Sequence, residues 1–199
     1  MGNWTTEADS SELLRQWLTD RTDPESPALH SQRVALLATS LAEAGGIDDP
    51  VWLATLRLAS AVHDIGKLAV PDTILKKPGR LDDEEWETVR QHPEWGAVLV
   101  ERLGMSGEVR PAVRHHHERW DGTGYPDRLA GEEIPLCARL VCVVDVYDAL
   151  TSERSYRRAL RPEQALAVME REAGKTLDPF IFGVFRRWVE STRARMLIS

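Results

Sequence analysis

Apolar residues recur along this chain at spacings of three and four, and no run alternates apolar with polar in the manner of a half-buried strand. That periodicity turns one face of a helix toward a core, so helices are predicted almost throughout. Asp9-Ser-Ser-Glu12 reads as a capping box opening a helix through Leu13, Leu14, Trp17 and Leu18. Ser26-Pro27 reads as an N-cap with a first-turn proline, starting a helix that carries His30, Val34, Leu37 and Leu41 and stops at Gly45-Gly46. Asp49-Pro50 starts the next, with Trp52, Leu56, Ala59 and His63 on one face and Gly66 as its expected end. Residues 71–80 read as a turn-rich connection. Leu81, Asp82, Glu85 and Trp86 then spell a hydrophobic staple and a second capping box. Pro93 restarts a helix directly after His92, and another is expected over Glu108–Glu118. Asp121-Gly-Thr-Gly-Tyr-Pro126 is too glycine-rich for regular helix. Leu136–Leu150, Pro162–Ala173 and Pro179–Met196 complete the pattern. No repeat of about 20–50 residues is present. The expected fold class is all-α: residues 1–24 form an N-terminal extension with one helix, and residues 25–199 form one compact domain.

Composition narrows the function. The chain has 199 residues and a formal net charge of −7, which argues against binding nucleic-acid polymers. Any phosphate-bearing ligand must be met by a local basic cluster or by metal ions. The two cysteines, Cys137 and Cys142, lie in one apolar run and offer neither a disulfide staple nor a CxxC zinc site. The first residues lack the basic and apolar regions of a signal peptide. No apolar run approaches the roughly 18 residues of a membrane span. A cytoplasmic location is expected.

The informative anomaly is polar residues in apolar company. Asp145 sits inside Leu140-Val-Cys-Val-Val-Asp-Val-Tyr147, where a lone carboxylate is costly unless paired, hydrogen-bonded or bound to metal. Its plain alternative is an ion pair, with Arg139 a candidate. His63 falls on the buried stripe of its helix and Asp64 follows it. His92 precedes a helix-starting proline, where it has a plain alternative as a cap. His115, His116 and His117 are consecutive, and neighbouring helical residues diverge by about 100°. All three therefore cannot serve one site, and at least one is expected to face solvent. Taken together, His30, His63, Asp64, His92, His116, His117 and Asp145 form a set of nitrogen and oxygen donors without a thiolate. Such a set suits iron, manganese or zinc in a catalytic site. Its size suits two ions bridged by a carboxylate, an arrangement that hydrolyses phosphate esters.

These residues lie in strings that resemble the HD-GYP domain, a subgroup of the HD superfamily of metal-dependent phosphohydrolases. The strings are His30-Ser-Gln-Arg-Val34, His63-Asp-Ile-Gly-Lys67, His92-Pro-Glu-Trp-Gly96 and His116-His-Glu-Arg-Trp-Asp-Gly-Thr-Gly-Tyr-Pro126. They continue with Gly131-Glu-Glu-Ile-Pro135, Asp145-Val-Tyr-Asp-Ala-Leu150, Arg154-Ser-Tyr-Arg157, Ala173-Gly174 and Asp178-Pro179, in the family's order over roughly residues 24–185. The resemblance implies an HD-domain helical bundle with the subgroup's extra C-terminal helices. It implies that His30, His63, Asp64 and Asp145 hold one divalent metal. Asp64 would bridge to a second held by His92, His116 and His117. Iron or manganese is expected; zinc, magnesium, nickel or cobalt are the alternatives. Relatives that bind a third metal carry a glutamate where this chain has Ser26, with Glu25 beside it, so a third ion is not expected.

By the same resemblance, Asp64 and Lys67 are the catalytic residues, and Lys67 contacts a phosphate oxygen. Gly124 and Tyr125 of the glycine-rich loop line the pocket, and Arg154 and Arg157 grip the substrate phosphates. The implied activity is hydrolysis of cyclic di-GMP, a bacterial second messenger, to linear pGpG or GMP by a metal-bound hydroxide. A GGDEF-type cyclase or a sensor protein is the kind of partner implied, and a homodimer is compatible. Two rival functions share the ligand set: a phosphohydrolase for another nucleotide or cyclic dinucleotide, and a module that binds the dinucleotide without turnover. Oxidative di-iron chemistry is disfavoured by Lys67, Arg154 and Arg157, which suit an anion.

Overall fold

The computed structural model describes residues 26–105, 107–153 and 158–196, together with Glu12, Leu14, Arg15 and Trp17–Thr19. Nine α-helices lie among the described residues of 26–196: α1 (Pro27–Ala44), α2 (Pro50–Val62), α3 (Asp72–Leu75), α4 (Asp83–Val89), α5 (His92–Arg102), α6 (Val109–His115), α7 (Leu136–Thr151), α8 (Pro162–Glu170) and α9 (Pro179–Met196). Glu12, Leu14, Arg15 and Trp17–Thr19 are helical as well. Short 3-10 turns cover Ile65–Ala69 and Gly131–Glu133. The architecture is all-α, as the periodicity predicts.

Local chemistry explains most starts. Ser26 Oγ accepts from Leu29 N–H, and Pro27 supplies the first helical residue of α1. The Asp49 carboxylate caps α2 through Val51 and Trp52. Asp82 and Glu85 form the predicted reciprocal box on α4. Its staple buries little, because Trp86 is half exposed. Asp9, which would open the first capping box, lies outside the described residues.

Four predicted boundaries shift. The helix α2 ends at Val62 rather than at Gly66, because the chain tightens after His63 into the 3-10 turn. The predicted Glu108–Glu118 helix covers only Val109–His115, and Pro162–Ala173 covers only Pro162–Glu170. The 71–80 connection contains the single-turn helix α3.

The helix α7 is the centre of the bundle. It is apolar around most of its circumference, and it buries Cys137, Ala138, Leu140, Val141, Cys142, Val143 and Val144. The helices α1, α6, α8 and α9 pack on it, while α2 lies along α1 and α5 along α6. Both thiols are buried and unpaired, so the core owes nothing to a disulfide. Trp17 joins the same core at 5% exposure, and its indole donates to Ala61 O at the end of α2. No helix among the described residues is long and apolar enough to cross a membrane.

Candidate metal centre

Five segments converge on Asp64: the first turn of α1, the end of α2, the start of α5, the end of α6 and the last part of α7. Close approach of the 3-10 turn to α5 makes this possible. A side-chain carbon on Gly66 would stand 1.9 Å from His92 O and 2.5 Å from Gly96 N, so only glycine lets the Asp64 segment lie against His92.

The histidines are oriented by one repeated device. The Nδ1 atoms of His63, His92 and His116 each donate to the carbonyl three residues earlier, at Ser60, Val89 and Val113, all at 2.7 Å. A carbonyl only accepts, so each Nδ1 carries the proton and each Nε2 is left as the lone-pair atom. The ends of α2, α4 and α6 provide those carbonyls because the last turn of a helix leaves them free.

The lone-pair atoms meet at one carboxylate. Asp64 Oδ1 lies 3.1 Å from His92 Nε2 and 3.6 Å from His116 Nε2. Its Oδ2 lies 3.6 Å from His63 Nε2 and 3.9 Å from His30 Nε2. Asp145 Oδ1 is 3.3 Å from His30 Nε2. Two donor sets share Asp64: His30 with His63, and His92 with His116 and His117, their atoms within 4.8 Å of one another. Of the two residues expected to be catalytic, Lys67 rests its ammonium on Asp64 Oδ2 at 2.5 Å.

Electrostatics follow from burial and from these charges. Burial pushes His63 down to about 4 and also lowers His92 and His117. Burial disfavours the charge on Asp64 as well, but the Lys67 ammonium beside it holds its carboxyl well below the usual range. Burial also acts against His30, yet Asp145 and Asp148 outweigh it and raise the imidazolium to about 9.

These residues fit divalent cations. His63 Nε2 is fully buried and has no hydrogen-bond partner. The Nε2 atoms of His92 and His116 stand 3.2 Å apart. Lone pairs so close to each other and to a carboxylate call for a positive charge among them. Nitrogen and oxygen donors without sulfur match the ligand chemistry of a catalytic rather than a structural site.

The plain alternatives fail at two positions. Arg139 pairs with Asp178 at 2.8 Å, not with Asp145. His92 caps nothing, since α5 takes its N-cap from Gln91. His115 is correctly outside the cluster, but the expectation that it faces solvent is corrected: its Nε2 is held by Asp127 at 2.9 Å and the side chain is 13% exposed. Asp145 is half-buried rather than enclosed, because it borders a cleft of about 520 Å3 together with His30, Lys67 and His117. Glu25, Arg154 and Arg157 lie outside the described residues.

The glycine-rich loop is folded back over α6. Glu118 Oε1 accepts from Asp127 N–H at 2.7 Å, and Tyr125 N–H donates to His117 O. A side-chain carbon on Gly124 would come within 2.3 Å of Arg119 N, so the loop needs glycine there. Tyr125 consequently stacks on His117 with centroids 4.9 Å apart, and Arg90 covers its ring at 4.7 Å. The Tyr125–Pro126 peptide is cis.

Sequence reasoning missed Glu118, Arg33 and Asp148. Glu118 is 2% exposed and anchors the loop. Asp148 accepts from His30 Nδ1 at 2.8 Å and from Arg33 Nε at 2.6 Å. A signal was available: Arg33 follows His30, and Asp148 follows Asp145, by three residues on a helical face.

Known proteins of similar sequence and fold place the chain in a family. The cyclic di-GMP phosphodiesterase PA4108 of Pseudomonas aeruginosa is 44% identical over 83% of this chain and 40% of its own length. The 3'3'-cGAMP-specific phosphodiesterase 3 of Vibrio cholerae is 39% identical over 83% of this chain and 36% of its own length. This chain thus spans about two-fifths of those relatives. The crystal structure of a cyclic GMP-AMP specific phosphodiesterase of V. cholerae superposes with a TM-score of 0.68 at 20% identity, covering 94% of this chain and 49% of that one. The HD domain family matches residues 12–181, a span holding every donor that faces Asp64, and the chain belongs to that family.

Proposed function

We propose that this chain is a metal-dependent phosphodiesterase that hydrolyses cyclic di-GMP to linear pGpG or GMP. The observation that carries the reading is the sharing of one buried carboxylate, Asp64, between two sets of imidazole nitrogens at the edge of an open cleft. Two cations bound there, iron or manganese by preference, would supply the charge that acidifies water and neutralises a phosphodiester. The protein's own residues do the rest. His30, His63 and Asp145 hold one position, His92, His116 and His117 the other, and Asp64 joins them. Lys67, already on Asp64, swings its ammonium to a phosphate oxygen when substrate enters, adding charge where the transition state develops it. Tyr125 backs His117, on which it stacks, and its contact with substrate is an assignment that rests on the sequence resemblance. Arg154 and Arg157 take the outer phosphate oxygens, an assignment that rests on the sequence resemblance.

The relatives favour a second substrate, because those of comparable identity are named for cyclic di-GMP in some cases and for 3'3'-cGAMP in others. The ligands would be common to both activities, and only the walls of the cleft would choose. Chromatography of digests of cyclic di-GMP, 3'3'-cGAMP and cyclic di-AMP by manganese- and iron-loaded protein tests the reading. Preferred cleavage of cyclic di-GMP is expected. Binding without cleavage at any metal loading overturns the enzyme reading in favour of a binding module.

A further inference from the structure

His30 differs from the other oriented histidines in where its second nitrogen goes. His63, His92 and His116 each use a carbonyl that a helix end leaves free. His30 lies in the first turn of α1, where Ser26 O already accepts from the backbone N–H of His30 itself at 3.1 Å. A carboxylate from α7 replaces the carbonyl. Asp148 Oδ2 accepts from Nδ1 at 2.8 Å, while Asp145, one turn earlier on the same helix, faces Nε2 at 3.3 Å. One helix thus grips both nitrogens of a single ring. Asp148 is 3% exposed, and Arg33 holds it at both oxygens, 2.6 Å from Nε to Oδ1 and 3.0 Å from Nη2 to Oδ2.

A carboxylate carries a full charge where a carbonyl carries a dipole. Its partner ring becomes the better donor at the opposite nitrogen, and the ring's orientation is fixed by a clamp that spans two helices. Resting on the reading of the cluster as a two-cation centre, we propose that Asp148, clamped by Arg33, is the positioning carboxylate that sets the cation affinity of the His30–His63–Asp145 position independently of the other position. The two halves of the centre are then built unequally: one has a charged outer support at His30, whereas His92 and His116 of the other rest on backbone carbonyls.

Titration of the chelator-stripped full chain with Mn2+ tests this, with bound metal counted and the spin-coupled pair followed by electron paramagnetic resonance. The Asp148→Asn variant keeps the shape and an accepting oxygen but loses the charge. One of the two dissociation constants is expected to weaken by about 10- to 100-fold and the other to stay as in the unmodified chain. At two equivalents the coupled signal gives way to that of isolated Mn2+. Asp178→Asn is the control, since it removes a buried charge paired with Arg139 and touches no histidine; it should move neither constant. Melting of the metal-free proteins separates positioning from folding. Equal weakening of both constants, no weakening, or the same change in Asp178→Asn overturns the proposal. Fewer than two Mn2+ bound by the unmodified chain would instead remove the two-cation reading itself, and this inference with it.

Discussion

His92 Nε2 and His116 Nε2 lie 3.2 Å apart, each with its ring proton committed on the far side to a carbonyl. Without a cation this is an unfavourable contact in a dry place, and Asp64 alone stands between the two donor sets. Metal should therefore stabilise the fold directly. At a metal concentration about a thousand times its Kd the gain is about 4 kcal/mol. Asp64→Ala should abolish that gain and leave less than one metal ion per chain, measured by metal analysis and by melting with and without chelator. Retention of full metal content by the variant would remove Asp64 from the shared position.

The metal-free protein should be most stable near neutral pH. His63 is depressed to about 4 in the fold, against an ordinary value near 6.5. Between those values the unfolded chain binds more protons, so stability falls as the pH drops. The loss from this group alone reaches about 2 kcal/mol at pH 5. His30 acts in the opposite window. Its folded value is raised to about 9, so its contribution is complete below 6.5 and is lost as the pH rises through 9. Melting temperatures of chelator-treated protein from pH 5 to 9.5 should trace a maximum, and a flat profile would contradict both shifts.

Two glycine substitutions should fail differently. Gly66→Ala drives a carbon into His92 O and should displace that histidine, lowering metal content if His92 is a ligand as proposed. Gly124→Ala drives a carbon into the backbone of Glu118 and Arg119 and should lift the loop that carries Tyr125. Overpacking of this kind costs about 1–3 kcal/mol. Metal should stay bound in Gly124→Ala while hydrolysis falls. Metal analysis beside a turnover assay distinguishes the two; matching metal loss in both variants would refute the separation.

Arg154→Ala should leave metal content unchanged and lower kcat/KM on cyclic di-GMP by about 30- to 1,000-fold, the effect of losing a charge-assisted contact worth roughly 2–4 kcal/mol. Lysine at 154 should rescue only in part, because a point charge lacks the bidentate fork. Arg158→Ala, one position off the proposed face, should be nearly silent. Equal effects at 154 and 158 would end the clamp assignment.

The helical class and most helix starts were legible in the sequence, because capping chemistry and apolar spacing act over a few residues, and the histidines and carboxylates that gather at Asp64 stood out there as polar residues in apolar company. Ser26-Pro27, Asp49-Pro50 and Asp82 through Glu85 each behave as local rules require. Helix ends were less legible: α2 stops before Gly66 because that glycine serves contact with His92, a demand from another helix. Which donors meet was decided by packing. Arg33 one turn after His30, and Asp148 one turn after Asp145, mark two polar faces in the sequence, but not that these faces meet across more than a hundred residues of chain. Glu118 reads as one more charged residue until the loop folds back on it. Arg139 looks like a partner for Asp145 and is claimed by Asp178. Local propensity selects the helices, but only the tertiary structure chooses partners for buried charges, because pairing is settled by which groups lose water together.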